Sequence, residues 1–273
     1  SHSGRMSDAG PWTDFLVRMS STAIVVVLIT WVVARLGPKI GGVLIGLPIV
    51  LAPGFFFMLR DHPLDFVGSS ASGAIYSLAA TQIFLAAFVV ASTRMGAITA
   101  MGCAILAWSA LAFPFAFLPH DPLVGAGLFA LATILARRIG RRFVHTGRLP
   151  PSPTRWSLLI LRGLAAGVLV GCVTFAASRL GASLSGTLLA FPIGFCVILL
   201  SLRLDQGPEM ASQTAHAGLV GVIGLAGFCL VLAVASRLIA PWQAFGAALL
   251  ASVAVTAIFT VSAQSGRTKS CLL

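Results

Sequence analysis

The sequence predicts an all-α integral membrane protein with nine transmembrane helices, arranged as a four-helix repeat, a single helix and a second, inverted four-helix repeat. Composition, the length of the apolar runs and an internal repeat together predict this class. Of the 273 residues, 58% are hydrophobic and only 9% are charged, and the mean hydropathy is +1.00. Soluble domains carry about 25% charged residues. This composition therefore excludes an ordinary soluble domain.

The net charge of +11 does not indicate nucleic-acid binding. The cations lie in the short connections between apolar runs, not in a basic stripe with interleaved aromatic residues. Such connections are where charge sets the topology of a membrane protein. The five cysteines are scattered through the sequence and follow no metal-ligand or disulfide spacing. The predicted partners are the lipid bilayer and a solute, without nucleic acid, and an oligomer is compatible with the sequence.

The apolar runs define the predicted membrane spans. A span needs about 20 mostly apolar residues, and long spans are accommodated by tilting. Nine runs qualify, of which the fifth is short and the third and eighth are long: 14–35, 39–59, 66–93, 95–118, 122–137, 157–179, 182–203, 209–236 and 239–263.

The first part of the sequence recurs 144 positions later without a gap. Ten of 38 aligned positions are identical, beginning at Trp12 and Trp156. The identities fall largely on Trp, Arg, Gly and Pro. Shared hydrophobicity alone does not explain matches at these residues, because their roles depend on geometry or charge. The repeat divides the chain into a first repeat at 12–118, a linker with the fifth span and an arginine-rich loop at 119–155, and a second repeat at 156–263.

The second repeat is predicted to be inverted. Five spans separate equivalent positions, and because five is odd, the second copy enters the membrane from the opposite face. Inverted repeats with interrupted helices are typical of secondary transporters. The stretch 137–155 contains six arginines and no acidic residue, which predicts that it is cytoplasmic. The N-terminus is then outside and the C-terminus is in the cytoplasm.

One motif carries a resemblance to a known family. Each half contains an Arg-Leu-Gly triplet, and the first continues with a Gly-Gly-x-Leu-x-Gly-Leu-Pro pattern at 41–48, then Arg60 and a Gly/Ser-rich helix. This pattern resembles the small GlpM-like bacterial membrane proteins, a single-copy domain family of unknown function. The resemblance covers spans one to three and six to eight best. It implies a fused, inverted duplicate in a bacterial inner membrane, and it implies no catalytic residue.

The general plan is also similar to drug/metabolite exporters and to small multidrug resistance transporters. The membrane-embedded glutamate of the latter is absent here, because all seven carboxylates lie at predicted helix ends or in connections. They are Asp8, Asp14, Asp61, Asp65, Asp121, Asp205 and Glu209. Carriers coupled to protons or cations usually place a carboxylate within the membrane. The sequence therefore disfavours carboxylate-based antiport, and it predicts neither an enzyme nor a metal or cofactor site.

Two prolines interrupt spans at equivalent positions. Pro48 lies within the second span, shortly after Gly46, and Pro192 lies within the seventh. Proline removes a backbone donor and breaks or kinks a helix, and in lipid the freed carbonyls need new partners. The two broken helices either form a substrate site near the midplane or only shape helix packing. Their symmetric positions favour the substrate site.

The third and eighth spans carry most of the polar residues at membrane depth. Those taken as candidate site residues are Ser69, Ser72, Gln82, Gln213, Thr214 and His216. Small and hydroxyl residues also serve helix packing, and that interpretation is favoured for the third span. His216 can titrate near neutral pH, so it is either a proton carrier or a packed, hydrogen-bonded histidine. The packed histidine is the more usual case.

Arg18 and Arg162 lie about one turn inside the first and sixth spans. They would contact an anionic substrate at the two mouths, or their side chains would extend to the headgroups, as is usual near helix ends. The second interpretation is favoured. Taken together, the sequence predicts a secondary transporter or facilitator of a small solute, with an anionic or zwitterionic one preferred to a cation. The alternatives are a passive channel and a non-transporting membrane protein that stabilises or regulates a partner.

Overall fold

The computed structural model describes residues 51–144 and 190–270, together with Ser20, Ile24, Val43, Pro48 and Thr187. Over these residues the chain is all-helical and contains no strand. The helices with bounds in this part of the chain are α1 (Leu51–Asp61), α2 (Leu64–Ser92), α3 (Ala97–Phe115), α4 (Pro122–Phe143), α5 (Ile193–Asp205), α6 (Pro208–Ala235) and α7 (Pro241–Ser270).

Five of these helices are long and apolar enough to cross a membrane: α2, α3, α4, α6 and, over Pro241–Ile258, α7. They correspond to the predicted third, fourth, fifth, eighth and ninth spans, so the chain is an all-helical membrane protein. The fifth span is longer than predicted, because α4 continues through the arginines to Phe143. Of the first span only Ser20 and Ile24 are described, and the sixth span lies outside the described residues. The total of nine therefore stays a prediction.

Helix α2 is the centre of the described bundle. Of its 29 residues, 22 are buried, and it packs against α3, α4 and α6. Helix α6 is the second central element and also packs against α5 and α7. The outer helices expose large apolar side chains, such as Leu106 on α3, Leu131 on α4 and Leu250 on α7. A belt of this kind would be unfavourable in water and is the expected surface toward lipid tails.

Helices α2 and α6 run antiparallel along their length. Near the start of α2, a Cβ atom at Gly68 would lie 2.7 Å from Oγ of Ser236, just beyond the end of α6. Near the middle, the amide of Gln82 donates to the carbonyl of Leu219 at 3.1 Å. These contacts fix the register between the two central helices.

The helix boundaries recur at the spacing of the sequence repeat. Helices α2 and α3 begin at Leu64 and Ala97, and α6 and α7 begin at Pro208 and Pro241, in each case 144 positions later. The same separation holds between the ends of α1 and α5. Equivalent positions in the two halves thus begin equivalent helices within the described residues.

The connection between α3 and α4 is fixed by local hydrogen bonds. Oδ1 of Asp121 accepts the N–H groups of Leu123 at 2.8 Å and Val124 at 3.0 Å, which makes it the N-cap of α4. The phenol of Tyr76, in the middle of α2, donates to the carbonyl of Asp121 at 3.1 Å. The ring of His120 packs edge-on against Tyr76, and burial lowers the pKa of this histidine, which favours its neutral form.

Replacing the cap is expected to destabilise this end of the bundle. Asp121→Ala leaves two N–H groups of α4 without an acceptor and should lower the free energy of unfolding by about 1 kcal/mol. Thermal unfolding of the purified protein in detergent measures the effect. Asp121→Asn is the control and should stay close to the wild type, because asparagine caps helices equally well. An equal loss of stability in both variants would show that the negative charge of Asp121, and not its capping hydrogen bonds, stabilises the start of α4.

Candidate functional site

The two predicted helix breaks are found at both prolines. Val43 and Thr187, each five residues before a proline, are helical, whereas Pro48 lies in a turn and Pro192 directly precedes α5. The helices after the breaks, α1 and α5, have 11 and 13 residues. They are therefore about 17 and about 20 Å long, well short of the roughly 30 Å of the hydrocarbon core.

A side chain of α2 stabilises the second break. The carbonyl of Thr187 belongs to the helical residue five positions before Pro192. It accepts the hydroxyl of Ser77, from the middle of α2, at 3.0 Å. Beyond the break, the carbonyl of Pro192 accepts the N–H of Cys196 at 2.9 Å and begins α5. The hydroxyl of Ser77 thus links α2 to the backbone just before the break.

An aromatic pair lies beside the same break. The indole of Trp108, on α3, packs edge-on against the ring of Phe191, with 4.8 Å between centroids. Trp108 is only 7% exposed, and its Nε1–H group is buried without a hydrogen-bond partner. Leaving a buried donor unpaired costs about 1–3 kcal/mol. The Trp108 indole therefore offers a donor next to the break.

Gln82 offers the complementary acceptor. Its side chain is fully buried, and its Oε1 atom has no partner while its Nε2 atom donates to Leu219. Gln82 lies ten residues before the end of α2, and Trp108 lies eleven residues after the start of α3. Because these helices are joined by a short connection, the two side chains lie at about the same depth.

We call Ser77, Gln82, Trp108, Phe191 and Pro192 the helix-break site. It combines an unpaired donor and an aromatic wall beside a discontinuous helix with an unpaired acceptor at about the same depth, and it includes no charged side chain. Sequence reasoning identified Gln82 and Pro192 but missed Ser77, Trp108 and Phe191. A signal was available for Trp108, since tryptophan in membrane proteins is enriched at the interfaces and this one lies well inside the fourth span.

The other candidate residues are not brought to this site. The hydroxyls of Ser72 and Thr214 donate to carbonyls of their own helices, at 2.9 and 2.8 Å, which agrees with a role in packing. Ser69 is exposed near the start of α2. Gln213 is buried in the second turn of α6, and the ring of His216 faces α4.

The remaining candidates Gly46, Arg18 and Arg162 lie outside the described residues.

Comparison with known proteins gives no further guide to this site. No family model matches the sequence, and neither a curated protein nor a solved structure matches the chain. The resemblance to the GlpM-like proteins therefore stays a prediction, and function has to be inferred from the residues themselves.

Proposed function

We propose that this chain is a secondary transporter or facilitator of a small polar solute. Its architecture would be a fused, inverted duplicate of a GlpM-like unit, with four, one and four helices. Two observations support this architecture: equivalent helices begin 144 residues apart, and the equivalent pair α2 and α6 is antiparallel. Antiparallel equivalents are what an inverted duplicate requires.

The helix-break site carries the proposal. Discontinuous helices in transporters place their free ends near the midplane, where the substrate binds. Here Nε1 of Trp108 is an unpaired buried donor next to the break, and Oε1 of Gln82 is an unpaired buried acceptor at about the same depth. A solute with both a donor and an acceptor would satisfy both groups. This favours a neutral or zwitterionic solute over a cation.

The charges at the two ends support the proposed orientation in a bacterial inner membrane. Arg94 packs over the ring of Phe143 at 5.4 Å, and Arg203 donates to the carbonyl of Met95 at 2.9 Å, so the ends of α2, α4 and α5 share one side. That side carries many arginines and few acids: Arg94, Arg137, Arg138, Arg141, Arg142 and Arg203 against Asp205 and Glu209.

The opposite side is slightly acidic in the described part of the chain, with Arg60 and Arg237 against Asp61, Asp65 and Asp121. The arginine-rich side is therefore assigned to the cytoplasm. The N-terminus would then be outside and the C-terminus inside.

Two other functions remain as alternatives. A passive channel would need a continuous polar lining, whereas the described interior has a few polar groups in an apolar surround. That pattern favours a small enclosed site. The close packing around α2 favours a membrane protein that only stabilises a partner. That function does not explain why a buried donor and a buried acceptor are unpaired at the depth of the break.

Flux measurements on the full chain in proteoliposomes test the proposal. The probes are alanine, glutamate, lactate and succinate, each at pH 6 and pH 7.5. We expect saturable uptake of at least one probe, and acceleration by the same probe inside the vesicle, which a channel would not show. Absence of flux for every probe, together with no thermal stabilisation by any of them, would favour the partner-stabilising protein.

Removing the breaks is expected to stop this flux. Pro48→Ala and Pro192→Ala restore a backbone donor and favour a continuous helix, so each should lower flux about tenfold or more while leaving the protein folded. Pro114→Ala is the matched control, because Pro114 is an exposed proline inside α3 and away from both breaks. Unchanged flux in the Pro192→Ala variant would contradict the assignment of the site.

A further inference from the structure

The last turns of α4 carry four arginines on two different faces. Arg137 and Arg141 are four residues apart and share one face, and Arg138 and Arg142 share another. The buried face of α4 includes Ala136 and Gly140, and Arg137 lies at its edge and is partly buried. Arg138 and Arg142 are exposed, on the side of the helix that carries the exposed Leu131 and Leu135. Arg141 is exposed as well, but it directly follows the buried Gly140, so the first pair flanks the point where α4 contacts the bundle.

A histidine from α6 lies against α4 between the first pair. A Cβ atom added at Gly140 would overlap Nδ1 of His216 and would lie 3.0 Å from its Cε1 atom. The ring is thus in contact with the α4 backbone, with Arg137 one turn before the contact and Arg141 directly after it. The charges of both arginines act on the ring.

Several hydrogen-bonding groups near this contact have no partner. Nδ1 of His216 is buried and unpaired. One turn earlier on α6, the hydroxyl of Ser212 is also unpaired in a side chain that is 3% exposed. Ser92 on α2 is 1% exposed, and its hydroxyl is likewise unpaired. The antiparallel register that pairs Gly68 with Ser236 places Ser92 at the level of Ser212. These three unpaired groups lie at the same end of the bundle and could pair with a bound ligand.

The charge of this cluster also lacks a partner. Two arginines four residues apart repel each other. Within residues 51–144 and 190–270, no carboxylate forms an ion pair with Arg137 or Arg141. The described acidic residues at this end are Asp205, the last residue of α5, and Glu209, in the first turn of α6. A bound anion would relieve the repulsion and would accept a hydrogen bond from the histidine.

We propose that Arg137, Arg141 and His216 form a binding site for one phosphate group. Three donor groups from two helices suit a tetrahedral anion with several acceptor oxygens, whereas a carboxylate is saturated by one bidentate arginine. The phosphate would belong to a soluble phosphate compound or to the headgroup of an anionic phospholipid. The proposal does not depend on transport, because binding is measured without flux.

The test compares two variants that lose the same charge from the same helix. Arg137→Gln/Arg141→Gln removes the pair that flanks the contact between Gly140 and His216, and Arg138→Gln/Arg142→Gln removes the pair on the side of the exposed Leu131 and Leu135. The full-length protein is titrated with inorganic phosphate in a neutral detergent at pH 7.5 and constant ionic strength. In parallel it is placed in phosphatidylcholine nanodiscs with increasing phosphatidylglycerol. Thermal stabilisation is the measurement in both arms.

The first variant is expected to weaken phosphate binding about tenfold or more, since charge-assisted hydrogen bonds are lost, and the second by less than about twofold. Stabilisation by inorganic phosphate identifies a soluble ligand, and stabilisation only by phosphatidylglycerol identifies a lipid headgroup. His216→Phe keeps a ring against Gly140 and should weaken binding severalfold without unfolding the protein. An equal loss in both arginine variants, or no stabilisation by either probe, would overturn the proposal.

Discussion

Replacing Gly224 by alanine is expected to separate α6 from α7 and to lower the free energy of unfolding by about 2–3 kcal/mol. Gly224 is buried, and a Cβ atom there would overlap the hydroxyl of Thr256 and lie 3.1 Å from the carbonyl oxygen of Ser252. The hydroxyl can rotate away, but the backbone carbonyl cannot. The two helix backbones must therefore move apart.

A glycine three residues further along the same helix provides the control. A Cβ atom at Gly227 would lie 3.6 Å from the nearest atom of Val255, which is an ordinary contact distance. Gly227→Ala should leave stability unchanged or raise it by up to about 1 kcal/mol, because alanine favours the helix. Thermal unfolding in detergent compares the two. A similar loss at both positions would contradict the close approach of α6 and α7.

Replacing Gln82 by leucine is expected to abolish transport without a loss of stability. Leucine has no polar atoms, so the variant removes the unpaired Oε1 atom together with the hydrogen bond to Leu219. Hydrogen bonds between membrane helices contribute only about 0.6 kcal/mol on average, which the removal of a buried unpaired group offsets. A substrate that binds Oε1 loses its acceptor, and flux should fall about tenfold or more.

Thr81→Val is the matched control for this change. Thr81 is the neighbouring residue on α2 and is also buried, but its hydroxyl donates to the carbonyl of Ser77 in its own helix at 3.0 Å. Flux in this variant should stay within about twofold of the wild type, because no group facing a substrate is removed. If Gln82→Leu instead lowers the melting temperature and leaves flux intact, Gln82 serves only to join α2 and α6.

The sequence predicted how deep a residue lies in the membrane better than it predicted which neighbouring helix the residue contacts. Apolar run length located five of the membrane helices, and proline chemistry located the break at Pro192. The contact of Ser77 with the carbonyl of Thr187 could not be predicted, because the polar residues of α2 do not gather on one side of a largely apolar helix. A helix that is hydrophobic all round gives no signal for which face meets which neighbour. Ser72 illustrates the same limit, since its polar side chain serves its own helix.

Helix α4 extends beyond the end of the predicted fifth span. The fifth span was ended at Arg137 because charges usually mark the edge of the membrane, yet the helix continues to Phe143. Arginine favours helix formation, and its long side chain can reach the headgroups from within a span. The arginines therefore mark where the lipid ends and not where the helix ends.

The central position of α2 has a consequence for biosynthesis. The hydrogen bond from Gln82 reaches Leu219, which is synthesised 137 residues later. At about 5–20 residues per second, this interval lasts roughly 7 to 30 seconds. During that time α2 is in the bilayer before α6 has been made, and the polar side chain of Gln82 lacks its final neighbour. A nascent chain that stalls before α6 would thus leave the amide of Gln82 without this acceptor.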